Sequence, residues 1–429
     1  MRAAGAAGSA GGSGATPGAA QRNAHLTQQA NRDVGRHGWL RLTPAYSYRL
    51  VANSLDEHAG DGPVVLDPFS GSGTTGLVAA ERGLQAHLVD VNPFLVWFAA
   101  AKTRPYAPED LARTRAVADD IVEAAGDVDP TGLWAPALHR IERWWSPTEL
   151  AALRVLRHLI DEADVPPPVA DLLRVAFCRT LIRVSNAAFD HQSMSFAAGS
   201  APASAAPSTC SPLAAATWQA WRQAAAHVTE TARAPLSGRV TAHLGDARDL
   251  GATLPGPVDL LTTSPPYANR MSYVRELRPY MYWLRYLAEP ADAGELDWRA
   301  IGGTWGVATS RVGAWEPEEP LPLDTELERA AAAIRGTGGR NADLLARYVH
   351  KYVDDMWRHF RSASEVVRPG GRVVYVVGNS TFFGQVVPVQ GWYAALLAEA
   401  GFVDVSVRTI RKRNSNKALF EYAVEAQRP

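Results

Sequence analysis

Short apolar runs that each stop at an acidic residue open the ordered part of this 429-residue chain. Pro63 to Leu66 leads to Asp67, and Ala86 to Val89 leads to Asp90, with a Gly/Ser turn and a helical stretch from Thr74 to Arg82 between them. Strand, glycine turn, helix and strand in that order predict the start of a parallel α/β sheet. Residues 38–56, just before it, read as a loop and then a helix. From about Pro105 to Ala234 the apolar period lengthens to that of a helix, with Leu150, Leu153, Leu156 and Ile160, then Leu172, Leu173, Phe177 and Leu181. Ser146-Pro147-Thr148-Glu149 supplies an N-cap, a proline in the first turn and a reciprocal glutamate, which predicts a helix start.

The strand pattern returns at Val240–Leu244 and Val258–Thr263. A helix over Ala342–Val367 carries Leu345, Tyr348, Val349, Tyr352, Met356 and Phe360 on one face. A strand at Val373–Val377 and a closing pair at Val403–Val407 and Phe420–Val424 complete the reading. Residues 197–213, rich in Ala, Ser and Pro, read as an exposed loop, and 288–340 as a long irregular one. The expected organisation is a disordered Gly/Ala-rich leader (1–37), an α/β domain in two parts (38–104 and 238–429), and an all-helical insertion (105–237) that is a candidate for target recognition.

Composition narrows the class without choosing a function. Hydrophobic residues make up 47% and charged residues 20%, as in an ordinary globular chain. The 43 basic and 44 acidic residues cancel to −1, so the chain lacks the basic excess by which many nucleic-acid binders are recognised. Two cysteines, Cys178 and Cys210, exclude a disulfide framework and a four-cysteine zinc site, and the scattered histidines give no metal-ligand spacing. No metal is expected. No apolar run approaches the roughly 18 residues of a membrane span, and the N-terminus lacks an apolar signal core, so a cytoplasmic location without membrane partners is expected.

Two constellations carry the chemistry. In Asp67-Pro68-Phe69-Ser70-Gly71-Ser72-Gly73-Thr74-Thr75-Gly76, glycines at a strand-to-helix turn allow a ligand close to the backbone, next to free N–H groups at a helix start. Gly71-x-Gly73-x-x-Gly76 also fits a dinucleotide-binding fingerprint, and Asp90 at the next strand tip suits the ribose hydroxyls of an adenosine under either reading. Ser264-Pro265-Pro266-Tyr267 follows an apolar strand directly, at the carboxyl edge of the sheet. Its prolines hold the backbone extended and remove two donors, leaving carbonyls to accept from a target –NH₂, while Tyr267 offers a flat face to an aromatic ring. A nicotinamide-dependent oxidoreductase would leave this second constellation unexplained.

Asp-Pro-Phe-x-Gly-x-Gly-Thr-Thr followed by Thr-Ser-Pro-Pro-Tyr resembles the amino-group DNA methyltransferases, which methylate exocyclic nitrogens using S-adenosylmethionine. The resemblance covers roughly residues 40–104 and 238–425. It implies a class I methyltransferase fold, a mostly parallel seven-stranded α/β sheet, with Ser-Pro-Pro-Tyr more typical of N4-cytosine enzymes and Asp-Pro-Pro-Tyr of N6-adenine enzymes. Carried onto this chain, it places Asp67, Pro68, Phe69, Ser70, Gly71 and Gly73 on the methionine side of the cofactor. Asp90 and Val91 fall at the ribose, Asp246 and Ala247 at the adenine, and Thr43 and Tyr46 in an upstream cofactor motif. Ser264, Pro265, Pro266 and Tyr267 become the catalytic group. Implied partners are double-stranded DNA with a flipped base and a cognate restriction endonuclease; the same chemistry on adenine N6, RNA or a small amine stays open.

Asn269, Arg270 and Tyr273, just after that motif, suit substrate contacts or the packing face of an amphipathic helix equally well. Arg408, Arg411, Lys412, Arg413 and Lys417 form the densest basic cluster, read as DNA-backbone contact or a solvated hairpin tip. Trp134, Trp144 and Trp145 read as core.

Overall fold

The computed structural model describes residues 24–42, 45–58, 60, 62–188, 195–196, 212–269, 272–304, 307–413 and 418–429. Seven strands form one sheet: β1 (Val64–Asp67), β2 (Gln85–Asp90), β3 (Arg239–Leu244), β4 (Val258–Thr263), β5 (Val367–Gly378), β6 (Val403–Lys412) and β7 (Phe420–Gln427). Their order is β6-β7-β5-β4-β1-β2-β3. β1 pairs in parallel with both β2 (Val64 opposite Gln85) and β4 (Val65 opposite Leu260), and β2 with β3 and β4 with β5 are parallel as well. β7 runs antiparallel to β5, and β6 returns antiparallel to β7. The sheet is mostly parallel and seven-stranded, as the resemblance implied.

Chain direction across the sheet reverses between β1 and β4, so the loops leaving these two neighbours diverge and open a crevice at their carboxyl ends. The buried strands are apolar on both faces because helices cover both sides. On one side lie α1 (Tyr48–His58), α2 (Thr74–Glu81) and α3 (Pro93–Thr103). The chain then enters α4 (Pro108–Ala124), α5 (Pro147–Glu162), α6 (Pro167–Arg183) and α7 (Pro212–Ala232) before returning to β3. The start of α5 has the capping box written in its sequence: Glu149 N–H donates to Ser146 Oγ and Ser146 N–H to Glu149 Oε2. These helices close on Trp144, Trp145, Phe177, Trp221 and Trp283, and the buried indoles of Trp145 and Trp221 donate to the Leu181 and Ala118 carbonyls. Trp134 differs from the expectation of core: it is 39% exposed, with the Arg285 guanidinium 4.6 Å from its ring centre.

After β4 come α8 (Tyr273–Trp283), α9 (Pro290–Arg299), α10 (Val307–Ala314), α11 (Asp324–Arg335) and α12 (Ala342–Val366), and α13 (Val389–Glu399) precedes β6. Three helices thus occupy the stretch expected as an irregular loop. Each is too short for its periodicity to stand out, and each gains order from packing; Leu327 and Ile334 of α11 are buried in the core that also holds Leu345, Tyr348 and Met356 of α12.

A second correction concerns the leader. Residues 24–37 form 3₁₀ turns with Asn31, Arg36 and His37 buried. Arg36 donates to the carbonyls of Lys102 and Arg104 at the end of α3 and of Ala232 and Ala234 at the end of α7, supplying donors to helix-end acceptors. Residues 1–23 and most of the Ala/Ser/Pro-rich stretch, 197–211, lie outside the described residues. No helix among the described residues is long and apolar enough to cross a membrane.

Candidate active site

The turn after β1 is shaped by its glycines. Gly73 has φ +72°, a left-handed conformation, and caps α2; a Cβ there would lie 2.9 Å from the Ala99 Cβ. Gly71 has φ +50°, and a Cβ there would meet only the Phe69 carbonyl, at 3.7 Å, so bare backbone is left toward the crevice. Beneath this turn Asp67 is buried and accepts from Thr75 Oγ1 (2.5 Å), Thr263 Oγ1 (2.6 Å) and the Phe69 N–H (3.1 Å). Because Thr75 gives its proton to Asp67, its oxygen accepts from the Tyr46 phenol at 2.5 Å. Burial pushes Asp67 up to about 6 despite those three donors. Asp67 and Tyr46 therefore tie β1, α2, β4 and the upstream segment together, and neither lines the crevice.

A crevice opens at this carboxyl edge, lined by polar and apolar side chains together. Of the anticipated positions, Pro68, Phe69, Gly71, Asp90, Val91, Asp246, Ala247, Ser264, Pro266 and Tyr273 line it, so the glycine turn and the Ser-Pro-Pro-Tyr segment share one cavity. Ser70, Gly73, Pro265, Tyr267 and Asn269 do not line it, and Thr43 and Arg270 lie outside the described residues. Asn92, Leu95, Val274, Leu296, Arg299, Ala300 and Ile301 line it without having been anticipated. Asn92 was legible: its Oδ1 accepts from the Phe94 N–H, an N-cap ahead of Pro93. The last four belong to α9 and the turn after it, hidden while that stretch read as loop.

Two carboxylates face this cavity in opposite electrostatic states. Asp90 accepts from the Gly71 and Asn92 N–H groups, both at 2.9 Å, yet burial, helped by nearby Asp67, pushes it up to about 7. Burial works against Asp246 too, but hydrogen bonds and charge from Arg248 prevail and hold its carboxyl below the usual range. Arg248 also donates to Asp355 Oδ1 at 2.6 Å, and Lys351 to Asp355 Oδ2 at 2.6 Å.

At the other end, Ser264 lines the wall and Tyr352 donates to the Pro266 carbonyl at 2.8 Å. Among the described residues no donor takes the Pro265 carbonyl. The Tyr267 phenol donates to Glu421 Oε1 at 2.9 Å, and its backbone N–H to the Tyr273 phenol. Burial, with Glu421 alongside, drives the Tyr267 phenol well above its usual value, against a hydrogen bond from Ser264. The Arg413 guanidinium lies 5.5 Å from the Tyr267 ring centre. Glu421 also accepts from Arg411 (2.6 Å), and Arg408 pairs with Glu425 at 2.9 Å and with Glu57, so much of the basic cluster is already neutralised; Lys417 lies outside the described residues. The stretch after Tyr267 is an amphipathic helix, α8, with Val274, Leu277, Tyr280, Met281 and Trp283 buried.

No protein-family model matches the chain. Over 69 residues it is 38% identical to the type II methyltransferase M.BsoBI of Geobacillus stearothermophilus, covering 16% of this chain and 14% of that protein. Over 128 residues it is 29% identical to the type II methyltransferase M.MvaI of Kocuria varians, covering 28% and 27%. The chain therefore spans well under a third of the length of these curated relatives. Among solved structures, TrmN from Thermus thermophilus aligns with 90% of this chain and 50% of its own at 12% identity, with a TM-score of 0.31, too low to carry an argument.

Proposed function

We propose that this protein is an S-adenosylmethionine-dependent methyltransferase acting on an exocyclic amine in DNA, and that the amine is N4 of cytosine. The observation that carries this reading is the single cavity lined by Phe69, Gly71, Asp90 and Asp246 at one end and by Ser264 and Pro266 at the other. The donor set suits the cofactor. Asp90 would accept from the ribose diol, Phe69, Val91, Leu95 and Ala247 give apolar walls, and Gly71 leaves backbone bare. The cofactor, when bound, supplies an electrophilic methyl group on a sulfonium. A carboxylate-lined, partly apolar cavity favours such a cation.

A cytosine amine is a poor nucleophile because its lone pair is delocalised into the ring. The Ser264 hydroxyl and the Pro265 carbonyl would accept its two hydrogens, favouring a pyramidal nitrogen whose lone pair faces the methyl group. Tyr352 takes the neighbouring Pro266 carbonyl and fixes the direction of the segment. No covalent enzyme intermediate is needed; alignment is the main contribution. Flipping the base costs a few kcal/mol. The helices α4–α7 or the α9–α11 region would read the target sequence, and a restriction endonuclease of the same specificity and a cytoplasmic location belong to the same proposal.

The test is methyl-labelled S-adenosylmethionine with unmethylated bacterial DNA, digested to nucleosides for mass spectrometry. Labelled N4-methylcytosine is the expected product. Labelled N6-methyladenine would overturn the assignment of Ser264 to cytosine, and no labelled base would overturn DNA as the substrate.

A further inference from the structure

Helix α12 presents Asp355, His359 and Ser362 at i, i+4 and i+7, one face of the helix. All three hold the short segment after β3 that brings Asp246 and Ala247 to the cavity. Asp355 accepts from Arg248, and Ser362 Oγ accepts from the Leu250 N–H at 2.7 Å. His359 lies between them, fully buried, with Nδ1 2.8 Å from the Ala247 carbonyl and Nε2 2.9 Å from the Tyr375 phenol. Its ring also packs edge-on against Phe69, with centroids 4.8 Å apart. One imidazole thus touches two cavity-lining residues, Phe69 from the β1 turn and Ala247 from the β3 turn.

The chemistry fixes its tautomer. A carbonyl can only accept, so Nδ1 carries the proton and Nε2 accepts from Tyr375. Burial lowers the histidine to about 4, so the neutral ring with one donor and one acceptor persists throughout the neutral range. We infer that His359 is a positioning residue for the cofactor, setting the spacing between Phe69 and Ala247 without touching the cofactor itself. The inference rests on the methyltransferase reading.

The experiment is calorimetric binding of S-adenosylhomocysteine, with steady-state methylation of DNA, in wild type, His359→Phe, His359→Asn and Tyr375→Phe. The Phe variant keeps a ring against Phe69 but leaves the Ala247 carbonyl unpaired. Its affinity should fall about tenfold or more, with the KM for S-adenosylmethionine rising while kcat and the KM for DNA stay near wild type. His359→Asn, which keeps a donor near Nδ1, should recover most of the affinity, and Tyr375→Phe, which frees the ring to turn, should lose a smaller part. If the Phe variant does not fold, the Asn and Tyr375→Phe proteins still decide: affinities below wild type by several-fold in Tyr375→Phe support the inference, and unchanged affinities overturn it. A Phe variant that melts earlier yet binds S-adenosylhomocysteine like wild type would also overturn it, leaving His359 a purely structural residue. Failure of wild type itself to bind S-adenosylhomocysteine is the separate outcome that removes the methyltransferase reading and the inference with it.

Discussion

The proposed cofactor end of the cavity comes mostly from one continuous stretch, Pro68 to Leu95, whereas the proposed target end collects Ser264 and Pro266 with Tyr273 and Val274, braced from behind by Tyr352, Arg413 and Glu421. The first is a local motif: a strand, a left-handed glycine turn and a helix start dictate its shape from neighbouring residues. The second is assembled from elements far apart in sequence, and Tyr267 behind it is held by a carboxylate on β7, 154 positions away. Local geometry is encoded residue by residue. Assembled geometry depends on the whole sheet being in register.

If that contrast holds, substitutions at the two ends should separate binding from turnover. The largest effect is expected at the target end: Ser264→Ala or Tyr267→Ala should lower DNA methylation by about a hundredfold or more while S-adenosylhomocysteine affinity, read by calorimetry, stays near wild type. Parallel loss of both would mean the two ends are not separable. Next comes Gly73→Ala, where a left-handed φ and a contact at 2.9 Å should cost roughly 2–3 kcal/mol in urea unfolding and weaken cofactor binding with it. A fully stable variant would show that the turn tolerates a side chain.

The pH response sharpens the cofactor end further. Asp90 is raised to about 7 in the folded protein, so in the ligand-free state its protonated form is favoured and the stability it contributes, complete below the unfolded carboxylate value, is lost as pH rises through 7. Ligand affinity should move the opposite way, because ribose hydroxyls need the ionised acceptor. S-adenosylhomocysteine binding should strengthen up to about tenfold per pH unit below 7 and level off above it, and Asp90→Asn should bind weakly with a flat profile. A flat wild-type profile would remove Asp90 from the ribose. The smallest effect is expected for Glu421→Gln, which keeps an acceptor for the Tyr267 phenol but breaks the Arg411 pair: kcat about fivefold lower, affinity for S-adenosylhomocysteine unchanged.

What could be read without coordinates follows the same division. Strands ending at Asp67, Asp90 and Thr263, the capping box at Ser146 and the glycine turn at Gly71 and Gly73 were visible because each depends on residues within a few positions of itself. The helices α9–α11 and the structured residues 24–37 were not visible. Helices α10 and α11 gain their order from burial against α12 and α9 from burial against α8, and Arg36 finds its carbonyl partners 66 to 198 positions away, a relation with no periodic trace.

By itself, then, the sequence determined the alternation of strand and helix and the glycine turn, since backbone sterics and side-chain chemistry act locally. Tertiary structure alone decided that Asp67 and Tyr46 brace the site from beneath, that Arg299 and Ile301 help enclose it, and that His359 joins its two cofactor-facing turns. Those roles depend on which buried polar groups meet once the sheet closes, and in a low-dielectric interior each such group is held by whichever partner the fold brings within reach.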